Sequence, residues 1–404
     1  MNDSWIQSNF PILNKRKNIE EFVYFDNACT TLRPKSVIDA MNKYYEEYPV
    51  CGGRSLHKLG KKVTDKVYET RFLVSQLIDA RKEEIVFTRN TTESINSVAH
   101  SIDWREGDVV ITSDKEHNSN LLPWIRLSKK IGIVHTTIKS NSDGYPDLTH
   151  LKDLLEKYKG RVRLIAVTLS SNLDGTTNPV AEIAKLGHKY GALILVDAAQ
   201  GLPHQPVSVK RLGADFLAFS GHKMLGPSGT GVLYGKKKLL EEFEPFLIGG
   251  GTVVKSSFDS YCLENIPERF EAGLQDYAGI IGLGEAIRFI QKVTYKEIAR
   301  RDLELNKYIT SYLRSIERVN IVGAKEPEKR GGIVSFCVDG VDPHMIALML
   351  DEAGIMVRSG QLCVHSWFSD KKIQGVVRIS TYFYNTLEEA EYFAKTLSNI
   401  LKAV

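Results

Sequence analysis

Cysteine is scarce in this chain: Cys29, Cys51, Cys262, Cys337 and Cys363 are an odd, scattered set of five in 404 residues. That excludes a disulfide framework and leads one to expect a reducing compartment. Net charge is also low, +4 over 404 residues, so no electrostatic case exists for a nucleic-acid partner. No apolar run is long enough to span a bilayer, and the opening "MNDSWIQSNFPILNKRKNIEEF" lacks the charged head and continuous apolar stretch of a secretory signal. A cytoplasmic protein without a membrane partner is expected. There is no internal repeat, low-complexity segment or Pro/Ser-rich linker, so any domain boundary lies within continuous packed structure. No metal site is expected, because neither H-E-x-x-H nor a close cysteine pair occurs. The common nucleotide motifs are missing too: Val254 stands where a P-loop needs its second glycine, and no G-x-G-x-x-G follows the first strand.

What is present is an ordinary globular composition, 43% hydrophobic and 25% charged, in a chain longer than one core usually serves. Two unequal lobes follow. From about Tyr24 to Tyr234 the apolar runs "EIVFT", "DVVITS", "RLIAVTLS", "ALILVDAA", "FLAFSG" and "GVLYG" alternate with helical periodicity, the pattern of a mostly parallel sheet flanked by helices. Beyond "IGGGTVV", long helices and a few strands ("GGIVSFCVD", "IMVRSG", "VVRIS") predict a smaller α/β lobe. The expected division is a large domain over 25–267, and a small domain made of an N-terminal arm, 1–24, with 268–404.

Four motifs suggest chemistry. In "FSGHKMLGPSGTG", Lys223 sits among glycines, which points to backbone pressed against something bulky. In "EIVFTRNTTESIN", Asn90 is a predicted N-cap with Glu93 completing a capping box, and the helix start with Thr91 and Thr92 suits a phosphate. Asp197 ends the buried run "ALILVDAAQ", with Gln200 just beyond, where α/β sheets bind ligands; helix capping would explain the aspartate equally well. His117, in "SDKEHNSN", lies at another strand end. These parts become coherent around pyridoxal phosphate, which needs a lysine for its Schiff base, an acid at its ring nitrogen, phosphate donors and an aromatic face.

The segments "YFDNACTTLRPKSVIDAM", "TTESIN", "EHNSN", "SSNLDGTTNP", "VDAAQ", "SGHKMLGPSGTG", "RFEAG", "VRSGQLC" and "VRIS" occur in an order that resembles the class V, fold type I aminotransferases, and within them the SufS-type cysteine desulfurases. The resemblance implies that Lys223 carries the cofactor, that Thr91, Thr92, Ser220 and His222 hold its phosphate, and that His117 stacks on its ring and shuttles protons. It implies that Asp197 pairs with the ring nitrogen, that Gln200 bonds the phenolic oxygen, and that Asn172 contacts both substrate and cofactor. Arg378 matches the arginine that grips the substrate carboxylate, Arg358 is a second active-site arginine, and Cys363 stands where the family carries its sulfur nucleophile. The implied reaction turns L-cysteine into L-alanine and a persulfide on Cys363, supplying iron-sulfur clusters or other thio-cofactors. A homodimer and a sulfur-acceptor protein are the implied partners.

Several positions depart from that pattern. Leu274 replaces a threonine expected to reach the partner subunit's phosphate, Cys51 and Gly53 replace residues of "VHRGIH", and Asn118 replaces the second histidine after Glu116. Gln361 and Leu362 precede the loop cysteine. Cys29 and Cys51 are open to three readings: sulfur relay, metal or cluster ligands, or plain reduced thiols. Selenocysteine lyase or a small-amino-acid aminotransferase is the alternative chemistry, and a non-catalytic sulfur-carrier scaffold the alternative class.

Overall fold

The computed structural model describes residues 3–141 and 144–403. Its centre is a seven-stranded sheet in the spatial order Ile85–Thr88, Gly231–Gly235, Phe216–Ser220, Leu193–Asp197, Val162–Thr168, Val109–Ser113, Val134–Ile138. Gly231–Gly235 runs antiparallel to both neighbours, and the other pairings are parallel. Alternate residues of each strand point to opposite faces, which makes two cores. Ile111, Ile165, Val167, Ile194, Val196, Leu217 and Phe219 belong to one, and Val110, Leu164, Ala166, Leu195, Phe216 and Ala218 to the other. Burial on both faces is why these strands read as unbroken aliphatic runs. The edge strand Val134–Ile138 was not among the expected ones. Its sequence, VHTTI, is mostly half-buried and polar, with His135 bonded to Thr112 Oγ1 at 2.9 Å.

A second sheet of four antiparallel strands has the order Val319–Val322, Ile333–Val338, Val376–Ser380, Arg358–Gly360. It packs with the helices Tyr295–Arg314, Pro343–Glu352 and Leu387–Ala403 around its own core. The N-terminal arm joins the two bodies. Phe10 packs on Phe289 and Tyr384, with ring centroids 5.8 and 4.6 Å away, and Val23–Tyr24 pairs in parallel with Ile355–Met356. The helix Tyr277–Val293 buries Ile280, Leu283, Ile287 and Ile290 in the core of the large sheet.

The glutamate of "RFEAG" has a structural task. Glu271 takes both terminal nitrogens of Arg71, at 2.8 and 2.9 Å, and accepts the Phe87 N–H at 2.7 Å. Arg71 also lies over the Phe87 ring at 4.6 Å, so helix Lys58–Leu77, strand Ile85–Thr88 and the segment before Tyr277 meet at one buried, bidentate pair. Removing one partner strands a buried charge, so Arg71→Ala is expected to lower unfolding free energy by about 3–5 kcal/mol. The shift of the urea midpoint against the parent chain measures it.

Candidate active site

Parallel strands deliver their following residues to one edge of the sheet. Thr91 opens the helix after Ile85–Thr88, His117 follows Val109–Ser113, Asn172 follows Val162–Thr168, Asp197 ends its own strand, and Lys223 follows Phe216–Ser220. All five line one cavity of about 540 Å³, together with Thr92, Gln200, Ser220, His222, Arg358, Cys363 and Arg378. The residues expected to form a site are therefore brought together.

Two local expectations need correction. Asn90 caps its helix as predicted, its Oδ1 accepting the Glu93 N–H at 3.0 Å, but the capping box is not reciprocal. Glu93 turns its carboxylate to the backbone N–H and guanidinium of Arg89 instead. The glycines around Lys223 also answer to the protein itself. A Cβ on Gly231 would stand 2.5 Å from Asn90 Cα, and one on Gly226 would stand 2.9 Å from Gly221 O. The close approach is backbone on backbone, and it seats the Lys223 turn against the start of helix Thr91–Ser101.

The second sheet supplies the opposite wall. Arg358 and Arg378 are cross-strand partners, a placement that repels unless a counter-charge intervenes. Asp26 is that charge, bonded to Arg378 at 3.1 Å and to Arg358 at 3.0 Å. Arg378 also donates to Asn172 O at 3.0 Å, while its buried Nε has no partner among the described residues. Cys363 is exposed on a loop in which Leu362 and Cys363 both take left-handed backbone, φ 51° and 58°. Such backbone costs about 1–2 kcal/mol per non-glycine residue. Two bonds from the first sheet hold it: Asn172 Nδ2 to Leu362 O and the Asn118 N–H to Cys363 O, each 2.8 Å.

The electrostatics follow from burial. Desolvation pushes the Lys223 amine below its usual range, opposed by the Asp197 charge. Burial likewise raises Asp197, opposed by the Ala199 N–H, which it accepts at 2.9 Å, and by Lys223. His117 is lowered to about 4 by burial, then by Lys223 and Arg378. Its Nδ1 accepts the Ser119 N–H at 3.1 Å, so the neutral ring holds its proton on Nε2. An NMR titration of the cofactor-free chain should place this midpoint near pH 4. Because the unfolded ring titrates near 6.5, the chain takes up this proton on unfolding. The ring's contribution to stability is complete above pH 6.5 and lost as pH falls towards 4.

Pyridoxal phosphate fits this donor set. At the positive end of helix Thr91–Ser101, the Thr91 N–H and hydroxyl meet the Ser220 hydroxyl at 2.9 and 2.7 Å, and the Thr92 hydroxyl is bonded to Ser119. Uncharged donors at a helix start suit a phosphate. A buried carboxylate with capacity beyond one N–H suits a protonated ring nitrogen, and a desolvated amine suits an aldehyde. Sequence reasoning missed Asp26, Ser119, His365 and Glu116. Asp26 was visible only as one letter of "YFDNACTT". His365 lines the cavity and bonds the Asn118 side chain at 2.8 Å. Glu116, the residue before His117, is buried, and desolvation raises it to about 7 against the pull of Ser113, Asn120 and Thr168.

The fold and this donor set define a pyridoxal-phosphate enzyme of fold type I. The family model for class V aminotransferases matches residues 23–393, and the chain belongs to that family. It is 43% identical over 395 residues, 96% of this chain and 97% of the relative, to a probable cysteine desulfurase of Pyrococcus abyssi. A second probable cysteine desulfurase, from Methanothermobacter thermautotrophicus, is 40% identical with 95% of each chain covered. Among solved structures, a cysteine desulfurase from Thermococcus onnurineus NA1 superposes with a TM-score of 0.94 at 40% identity, covering 99% of this chain and 98% of that one. The Escherichia coli cysteine desulfurase CsdA gives 0.91 at 31%, covering 100% and 99%. Within its family, the chain thus falls on the cysteine desulfurase branch.

Proposed function

We propose that the cavity converts L-cysteine to L-alanine and leaves the sulfur as a persulfide on Cys363. The observation that carries this reading is the shared cavity of Lys223, Cys363 and Arg378: an amine, a thiol and an anion-binding guanidinium. When bound, pyridoxal phosphate supplies an electron sink that acidifies the substrate's α-C–H and weakens its Cβ–S bond. Lys223 holds the cofactor and is the base at the α-proton, its amine readied by desolvation. Thr91, Thr92, Ser220 and His222 hold the phosphate, Asp197 the ring nitrogen and Gln200 the phenolic oxygen. His117, which lines the same cavity with its proton on Nε2, would be the second proton-carrying group beside the cofactor.

Arg378 binds the substrate carboxylate through its free Nε edge, and Arg358 adds positive charge beside it. Asn172 fixes the nucleophile's loop from the substrate side. Cys363 Sγ then attacks the substrate sulfur: an S–S bond forms, the Cβ–S bond breaks with its electron pair left on carbon, and a proton replaces the sulfur to give alanine. Atoms and charge balance without an oxidant.

The same reading includes a homodimer, a sulfur-acceptor protein that feeds iron-sulfur or other thio-cofactor assembly, and a cytoplasmic setting. Exposed Leu56, Val254, Phe258 and Leu274 support a subunit boundary, and no helix among the described residues is long and apolar enough to cross a membrane. The test is to incubate the purified holoenzyme with L-cysteine and a keto acid. Alanine in step with persulfide on the Cys363 peptide is expected. Amino-group exchange with the keto acid, with no sulfur on the chain, would mean a transaminase instead.

A further inference from the structure

The cavity contains a second thiol that this reaction does not use. Cys29 lines it together with Lys223 and Cys363, half-buried in the turn after Val23–Tyr24. Its N–H donates to Asp26 O at 3.1 Å, which ties it to the residue that holds both arginines. Arg358 Nη2 reaches Asp26 at 3.0 Å and donates to Cys29 Sγ at 2.6 Å. One guanidinium is thus anchored by a carboxylate and turned onto a sulfur. Burial lowers the proton affinity of Lys223 and of Arg378, and the nearby Cys29 works in the opposite direction on both. A thiol kept only as a small hydrophobe belongs among aliphatic side chains, and these neighbours are charged. The remaining thiols lie elsewhere: Cys51 lines a separate cavity, Cys262 is in an exposed hairpin, and Cys337 is in the strand Ile333–Val338.

We infer that Cys29 is a second sulfur station, which takes the terminal sulfur from Cys363 within the cavity. The inference rests on the function proposed above. The Cys29 thiolate attacks the outer sulfur of the Cys363 persulfide, and a new S–S bond forms at Cys29. The bond between that sulfur and Cys363 Sγ breaks, and its electron pair leaves on Cys363 Sγ, which takes up the proton Cys29 gave up. One S–S bond replaces another, so no oxidant or reductant is needed. Arg358 supplies the counter-charge for the attacking Cys29 thiolate. Cys363 is then free for another substrate, while the stored sulfur sits on the less exposed thiol.

The test is a time course of holoenzyme with L-cysteine and no thiol other than this substrate, quenched by alkylation and read by peptide mass spectrometry. Added sulfur should appear first on the Cys363 peptide and then on the Cys29 peptide. In Cys363→Ala both peptides should stay unmodified, and in Cys29→Ser the protein-bound sulfur at the plateau should be roughly halved. Three results would overturn the inference: a Cys29 peptide that stays bare while Cys363 is loaded, sulfur on Cys29 in Cys363→Ala, or a Cys29–Cys363 disulfide in place of the second persulfide. Alanine production with no sulfur on Cys363 would instead bring down the proposed function, and this relay with it.

Discussion

Lys223→Ala is expected to slow alanine formation from L-cysteine by at least ~10²–10⁴-fold, the range that loss of a positioned general base produces. The amine opens on the cavity, where desolvation lowers its proton affinity and the Asp197 charge restores part of it. Among the described residues no other lysine lines that cavity, so no neighbouring lysine can take over either as base or as covalent anchor. The proposed phosphate donors Thr91, Thr92 and Ser220 and the proposed ring partner Asp197 are untouched, so the variant should still bind pyridoxal phosphate, but reversibly. Borohydride reduction separates the two roles: it should fix the cofactor to the parent chain and not to the variant. A variant that still fixed cofactor and retained more than about a tenth of the rate would refute the assignment of Lys223.

Cys363→Ala should have the complementary phenotype. Cofactor attachment through Lys223 should survive, while persulfide formation disappears and alanine production falls on the order of 100-fold or more, about 2.7 kcal/mol of transition-state stabilisation. Cys363→Ser should not rescue it, because an alcohol oxygen is a far weaker nucleophile towards sulfur than a thiolate. The loop itself should persist in both variants. Its left-handed turn is held by Asn172 at the Leu362 carbonyl and by the Asn118 N–H at the Cys363 carbonyl, and neither bond involves the sulfur. Full alanine output from Cys363→Ala, measured alongside retained cofactor, would move the sulfur chemistry to another residue.

Local chemistry was the most legible part of this protein. The Asn90 cap could be read because a side-chain oxygen meets an N–H only three residues on. The strands around Asp197 and Ser220 could be read because burial on both faces demands aliphatic residues at every position. Val134–Ile138 and Val319–Val322 could not, since half-buried strands carry polar residues that mimic loops. The capping-box partner was misjudged because Arg89, a neighbour of opposite charge, competes for the Glu93 carboxylate.

By itself the sequence determined the class of fold, the cofactor chemistry and a set of side chains that the fold brings to one cavity, because covalent, acidic and nucleophilic roles each demand a particular residue type. Only the tertiary structure decided which groups hold those side chains in place: Asp26 between two cross-strand arginines, Asn172 and Asn118 on the Cys363 loop, and Arg358 turned onto Cys29. The physical reason is distance along the chain. Contacts between residues hundreds of positions apart leave no periodicity or spacing in the sequence, and they exist only once two sheets have closed around one cavity.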